Sequence, residues 1–136
     1  MSAPALDLQK AVLAALADDE DLTSALGGSR IYDHVPADTP FPYLTFGRTS
    51  VFDWSTSTEA GFEQLLTLHA WSKAQGKTEA LEIMDLVAAR LNDQPLTLES
   101  HRLVSIRQEF SEVRYDEDLA VYHGLLRFRV LIEENA

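Results

Sequence analysis

Cysteine is absent from the 136 residues of the chain. This excludes disulfide bonds, thiolate metal sites and cysteine nucleophiles. No run of 18 apolar residues occurs either, so we expect no membrane-spanning helix and no membrane partner. The first letters, MSAPALDLQK, lack a basic region followed by an apolar stretch, so we do not expect a signal peptide.

Basic residues are also scarce, with 11 Lys and Arg against 22 Asp and Glu and a net charge of -11. This balance argues against broad binding of a phosphate backbone, which requires a basic surface. It is compatible with a channel whose acidic wall lets nucleic acid pass by repulsion. The length and the 46% hydrophobic content fit one globular domain over residues 1–136.

Two amphipathic helices and one short helical segment are predicted. Asp7 is a candidate N-cap for the first helix, and Thr78 is a candidate N-cap for the last. The stretch LTSALGG (22–28) predicts a short turn or helix that ends at glycine. The last helix has the clearest apolar face, which consists of Ala80, Leu81, Ile83, Met84, Val87, Ala88 and Leu91.

Strand-forming residues fill most of the remaining chain. Alternation and β-branched or aromatic content predict long strands over 43–55, 62–72, 101–115 and 120–132, and RIYD (30–33) predicts a short one. We expect Trp71, at the end of the second long strand, to lie in the core. The expected fold is α+β in two layers, an antiparallel sheet of about four long strands with two main helices on one face.

The connector DHVPADTPFPYLTFG (33–47) holds three of the five prolines of the chain. Proline fixes its own φ angle and biases the residue before it toward extended geometry. The connector therefore directs the chain into the strand at Tyr43 already extended. A segment placed between two strands is less suited to be a ligand for a proline-binding domain.

No catalytic, cofactor-binding or metal-binding motif is found. The four histidines lie far apart along the chain, without the local spacing of a metal site. GGSR (27–30) lacks the lysine of a phosphate-binding loop. A small hydrolase that gathers His69, His123 and a carboxylate is the enzymatic alternative, but the residues give no positive sign of it.

Candidate interface residues come from the first hairpin and the last strand. Trp54 stands beside Phe52 and Asp53 near a polar hairpin tip, where an exposed aromatic can anchor a partner. The alternative is that Trp54 packs on its own hairpin. Arg127 and Arg129 alternate with apolar residues, so they are expected on the sheet face that no helix covers, which is either a partner surface or an ordinary solvated face.

Several stretches, taken in order and spacing, resemble the tail-completion, or tail-terminator, proteins of long-tailed phages and gene transfer agents. They extend from about Leu8 to Leu131 and include GGSRIYDHVPADTPFPYLTFG, DWST, LTLHAWS, KTEALEIMDLVAARL, HRLVSI and GLLRFRV.

The resemblance implies a structural protein of a virion or gene-transfer-agent particle, made in the host cytoplasm, and no enzyme. It implies a ring subunit, commonly hexameric, that caps the head-proximal end of the tail tube and stops its polymerisation. The implied partners are the tail-tube protein and the neck or head connector, and DNA passes through the ring. Another ring-forming connector or a tube component of the same particle is the alternative.

Overall fold

The computed structural model describes residues 3–134 as three helices packed on one face of a five-stranded sheet. The helices are α1 (Pro4–Ala17), α2 (Glu20–Leu26) and α3 (Thr78–Leu91). The strands are β1 (Ile31–Tyr32), β2 (Tyr43–Asp53), β3 (Gly61–Ser72), β4 (His101–Asp116) and β5 (Val121–Glu134). None of these helices is long and apolar enough to cross a membrane.

The strand order is β1-β2-β3-β5-β4. The four long strands pair antiparallel with one another, as the sequence predicted. The sheet as a whole is mixed, because β1 pairs with β2 in parallel. The ten-residue connector that follows β1 allows this arrangement, since parallel neighbours cannot be joined by a tight turn. Arg30 supports the connector by donating to the carbonyl of Phe41, over 3.1 Å, and the Phe41–Pro42 peptide bond is cis.

Alternation along the strands separates two sheet faces. Leu66, Leu68 and Ala70 of β3 lie beside Phe128, Leu126 and Gly124 of β5 and point toward the helices. α1 contacts β1 and β2, whereas α3 contacts β3, β4 and β5. Burial of this apolar layer is the main stabilising contribution to the fold. We call the opposite side, which carries the other residues of each strand, the uncovered face.

Two local predictions are corrected by the structure. α1 begins at Pro4, a favourable first helical residue, so Asp7 lies within the first turn instead of capping it. α3 has Lys77 at its N-cap without a side-chain cap, and Thr78 is already helical. The short segment predicted to end at glycine forms α2, which is capped by Asp19, whose side chain accepts from the Leu22 N–H.

Candidate assembly interface

The five candidate interface residues occupy two connected regions of the uncovered face and its rim. Phe52 is 51% exposed, and it lines a shallow cavity of about 260 Å³ together with Arg127 of β5. Phe52 lies directly opposite Glu63, which pairs with Arg129. The alternation of β2, β3 and β5 therefore brings Phe52, Arg127 and Arg129 together.

Asp53 and Trp54 instead shape the hairpin tip. The Asp53 carboxylate accepts from the backbone N–H and the hydroxyl of Ser55, and these bonds hold its pKa below the usual value. Trp54 is 41% exposed, and its ring packs so closely on Gly61 that a Cβ there would touch it. Its backbone N–H also donates to the Gly61 carbonyl. Trp54 thus has one face on its own hairpin and another in solvent.

Three arginines of the uncovered face lie beside carboxylates. Arg127 Nε donates to Glu109 Oε2 over 2.7 Å, and the guanidinium lies 5.1 Å from the centre of the Phe110 ring. Arg129 pairs with Glu63, and Arg102 pairs with Glu133. All three pairs are solvent-accessible, so each contributes little to folding. Their main effect is to make the face electrically mixed.

Two histidines meet on this face, an arrangement that the sequence left open. His69 Nδ1 lies 2.6 Å from His123 Nε2, so one ring donates a hydrogen bond and the other accepts it. The His123 ring stacks on Trp71 at 4.0 Å, and Trp71 Nε1 donates to Thr45 Oγ1 over 3.1 Å. The expectation that Trp71 lies in the core is therefore wrong. It is half-buried on the uncovered face, because its position in β3 is out of phase with Leu66, Leu68 and Ala70.

The two histidines lie in a partly buried environment that favours uncharged rings. Burial lowers the pKa of both imidazoles, and the charges of His69 and Arg114 lower that of His123 further. Both rings therefore favour the neutral form. Among residues 3–134, no cluster of three or more His, Asp or Glu side chains could hold a metal ion. The two histidines are far apart in sequence. They meet because of the register between β3 and β5, which the sequence does not specify.

The proline connector forms one wall of an apolar groove of about 340 Å³. The other walls come from the strand ends and from the β4–β5 turn. Lys73 Nζ lies 4.8 Å from the centre of the Phe41 ring. The groove is lined by Val35, Phe41, Tyr43, Thr45, Trp71, Lys73, Leu119 and Val121.

A buried polar cluster far from this face joins α1 to β4. Asp7 Oδ2 accepts from His101 Nδ1 over 2.7 Å, and its two oxygens accept from the backbone N–H groups of Glu99 and Ser100. Burial acts to raise the pKa of Asp7, but these hydrogen bonds outweigh it and hold the pKa below its usual value. Asp7 and His101 are nearly inaccessible to solvent, so the cluster supports the fold and does not form a contact surface.

Comparison with known proteins gives the same assignment from sequence and from structure. Residues 10–133 match the family described as tail completion protein gp17. The chain is 26% identical over 128 residues to the tail completion protein gp17 of Bacillus phage SPP1, covering 94% of this chain and 93% of the relative.

A solved chain from the virion of a native gene transfer agent particle superposes with a TM-score of 0.87 at 30% identity. The match covers 98% of this chain and 99% of the solved one. Because members of this family are structural proteins of the virion, the chain has a structural role in tail assembly and is not an enzyme. The chain therefore belongs to the tail completion protein gp17 family.

Proposed function

We propose that the chain is a ring subunit, commonly a hexamer, that caps the head-proximal end of the tail tube. In this position it stops tube polymerisation and joins the tube to the neck or head connector. The observation that carries the proposal is the family match over residues 10–133, together with the near-complete superposition on a gene-transfer-agent chain. A match to a whole subunit supports transfer of the assembly role better than a shared motif would.

The charge distribution supports passage of DNA through such a ring. The net charge of -11 opposes non-specific binding of phosphate. On the uncovered face, Arg102, Arg127 and Arg129 each have a carboxylate partner within the same subunit. The same face also carries Arg48 and Arg114, and it carries Glu112 and Asp116 of β4, so basic and acidic side chains are mixed across it. A mixed face attracts a passing duplex less than a basic one would.

The alternatives have weaker support. Another connector or a tube component of the same particle would share the ring architecture, but the family description specifies tail completion. A hydrolase would need a nucleophile or a general base beside the substrate. His69 and His123 are hydrogen-bonded to each other, and the His123 ring stacks on Trp71. Among the described residues, neither ring is hydrogen-bonded to a carboxylate.

Binding to isolated tail tubes tests this function directly. The purified chain is mixed with tubes that lack it, and tube ends are imaged by electron microscopy while free subunits are weighed by native mass spectrometry. We expect a ring at one end of each tube and no further addition of tube protein there. Absence of the chain from tube ends, or continued growth of capped tubes, would overturn the proposal.

Two variants with similarly exposed apolar residues provide a matched comparison. Phe52→Ser removes a candidate contact at the β2 edge, whereas Leu81→Ser changes a residue on α3 that is 43% exposed. We expect Phe52→Ser to reduce capping several-fold and Leu81→Ser to leave it near the wild-type level. Equal effects of the two variants would show that Phe52 does not contribute to the interface.

A further inference from the structure

Exposed apolar side chains concentrate at the two lateral edges of the sheet. Val51, Phe52 and Trp54 lie at or just beyond the end of β2, and Val104, Phe110, Tyr115 and Leu119 lie along β4 and its turn. Single exposed apolar residues are common on soluble proteins. Their grouping on two separate edges indicates two contact surfaces on each subunit.

The β4 edge is covered along only part of its length. Near its middle, the backbone N–H of Asp93 donates to the Ile106 carbonyl, and the Asn92 side chain accepts from the Gln108 N–H, both over 2.8 Å. From Phe110 to Asp116, the backbone has no hydrogen bond to any described residue outside β5. This second half of β4 is an open strand edge, which can pair with another chain.

The β2 edge has the complementary arrangement. β1 pairs with Leu44 and Thr45 at one end of the strand. From Thr49 to Asp53, the backbone pairs with β3 only, within the described part of the chain. Each subunit therefore has one open segment on each edge, and the two segments differ in sequence.

We propose that the open β4 segment (Phe110–Asp116) of one copy pairs with the open β2 segment (Thr49–Asp53) of a second copy, which joins their sheets. This inference rests on the proposed ring. β2 and β5 run in one direction, and β3 and β4 run in the other. A neighbour in the same orientation therefore places its β2 antiparallel to β4, which continues the alternation of the sheet.

Side-chain direction and charge fix a register for this contact. Val51 and Val113 both lie on the helix side of the sheet, since they pair with Gln64 and Gly124. Placing them opposite each other keeps the helices of both copies on one side. The same antiparallel register brings Arg48 of one copy opposite Asp116 of the other, an opposite-charge pair.

The contact requires the neighbour to be displaced along the strands. Within one subunit, Val51 pairs with Gln64, Gln64 with Val130, and Val130 with Ile106, so these four residues form one line across the sheet. Allowing for the bulge after Gln108, Val113 lies roughly six residues farther along β4, or about 20 Å. Four strands are about 19 Å wide, so this displacement corresponds to a tilt of about 45°, as in closed β-barrels. A contact between two different edges is heterologous, so it generates a ring when the rotation between successive copies closes.

Engineered cysteines test the contact, because the chain has none of its own. The double variant V51C/V113C is assembled on tail-tube ends, oxidised and run on a non-reducing gel. Positions 51 and 113 lie on strands separated by two others, about 14 Å across the sheet, which is too far for a disulfide within one subunit. We expect a covalent ladder that extends to the size of the ring.

The matched control is V51C/V104C, since Val104 is an exposed β4 valine, 44% against 40% for Val51, that lies near the level of Val51 in the same subunit. It should give no ladder. Rings that form without linkage in V51C/V113C, or with equal linkage in both variants, would overturn the pairing and leave the proposed function intact. Absence of rings from the tube ends would instead overturn the proposed function, and this pairing with it.

A charge exchange provides an independent readout if the cysteine variant folds poorly. R48D is expected to reduce capping by roughly five-fold or more, and D116R in the same chain should restore it, because the pair is re-formed with opposite polarity. If the double variant R48D/D116R is folded but does not cap tubes better than R48D, the result would contradict the register.

Discussion

Asp7 and His101, which are 94 positions apart in sequence, form a buried hydrogen bond of 2.7 Å that joins the first helix to the start of β4. The same carboxylate accepts from the Glu99 and Ser100 N–H groups, so it provides hydrogen-bond acceptors for the backbone of the loop that precedes the strand. A buried carboxylate with these partners stabilises one particular arrangement of helix and sheet.

Replacing Asp7 by Asn should therefore destabilise the protein. The substitution preserves shape but removes the charge and turns one acceptor into a donor, which faces backbone N–H groups. We expect a loss of about 2–4 kcal/mol in the free energy of unfolding, measured by urea denaturation. Glu82→Gln, at an exposed position of α3, is the matched control and should change stability by less than about 0.5 kcal/mol. Similar values for both variants would contradict the structural role of Asp7.

Stability should fall in two pH ranges as the solution is acidified. The pKa values of His69 and His123 are lowered in the folded state, so the unfolded chain binds more protons once the pH falls below about 6.5. The pKa of Asp7 is also lowered in the folded state, so ionised Asp7 adds to the free energy of unfolding above about pH 4. This stabilisation is lost as the pH falls through the folded-state pKa.

Unfolding measured between pH 3 and pH 8 tests both ranges. Around His123, Arg114 opposes protonation, whereas Glu112 and Asp116 of β4 favour it. The double variant H69N/H123N should lose the decline near pH 6 relative to the wild type and retain the one below pH 4. An unchanged profile near pH 6 would show that the histidine pair does not affect folding.

Gly47 is required by the histidine cluster. A Cβ at this position would overlap the His69 ring, so Gly47→Ala should force the ring to move and cost about 1–3 kcal/mol. Adding His69→Ala should remove most of that cost, because the obstructing ring is gone. The double-mutant cycle is measured by urea denaturation, and purely additive effects would indicate that the two positions do not interact.

The two tryptophans should respond differently to truncation. Trp54→Ala is expected to cost about 1–2 kcal/mol of folding free energy, since much of the ring is solvent-exposed. It should reduce capping of tail tubes by more than that loss explains. Trp71→Ala removes the stack on His123 and the bond to Thr45 and should mainly affect folding. Parallel thermal melts and tube-binding assays separate these effects, and an equal loss in both assays for Trp54→Ala would place it among the fold-supporting residues.

The sequence predicted the features that depend on local periodicity. The alternation in β5 assigned Arg127 and Arg129 to the uncovered face, and the apolar spacing in α3 identified the helix that packs on the sheet. Features that depend on contacts between distant parts of the chain were missed or left open. The His69–His123 contact requires the β3–β5 register, and the buried role of Asp7 requires the first turn of α1 to meet the loop before β4. The parallel pairing of β1 depends on how the proline connector returns along the sheet.

The length of tails in particles made without this chain tests the central claim most directly. If the subunit caps the head-proximal end of the tube, electron microscopy should find tubes of irregular and excessive length, together with heads that carry no tail. Supplying the wild-type chain should restore uniform tails joined to heads. Tails of normal length that remain attached to heads in its absence would contradict the account.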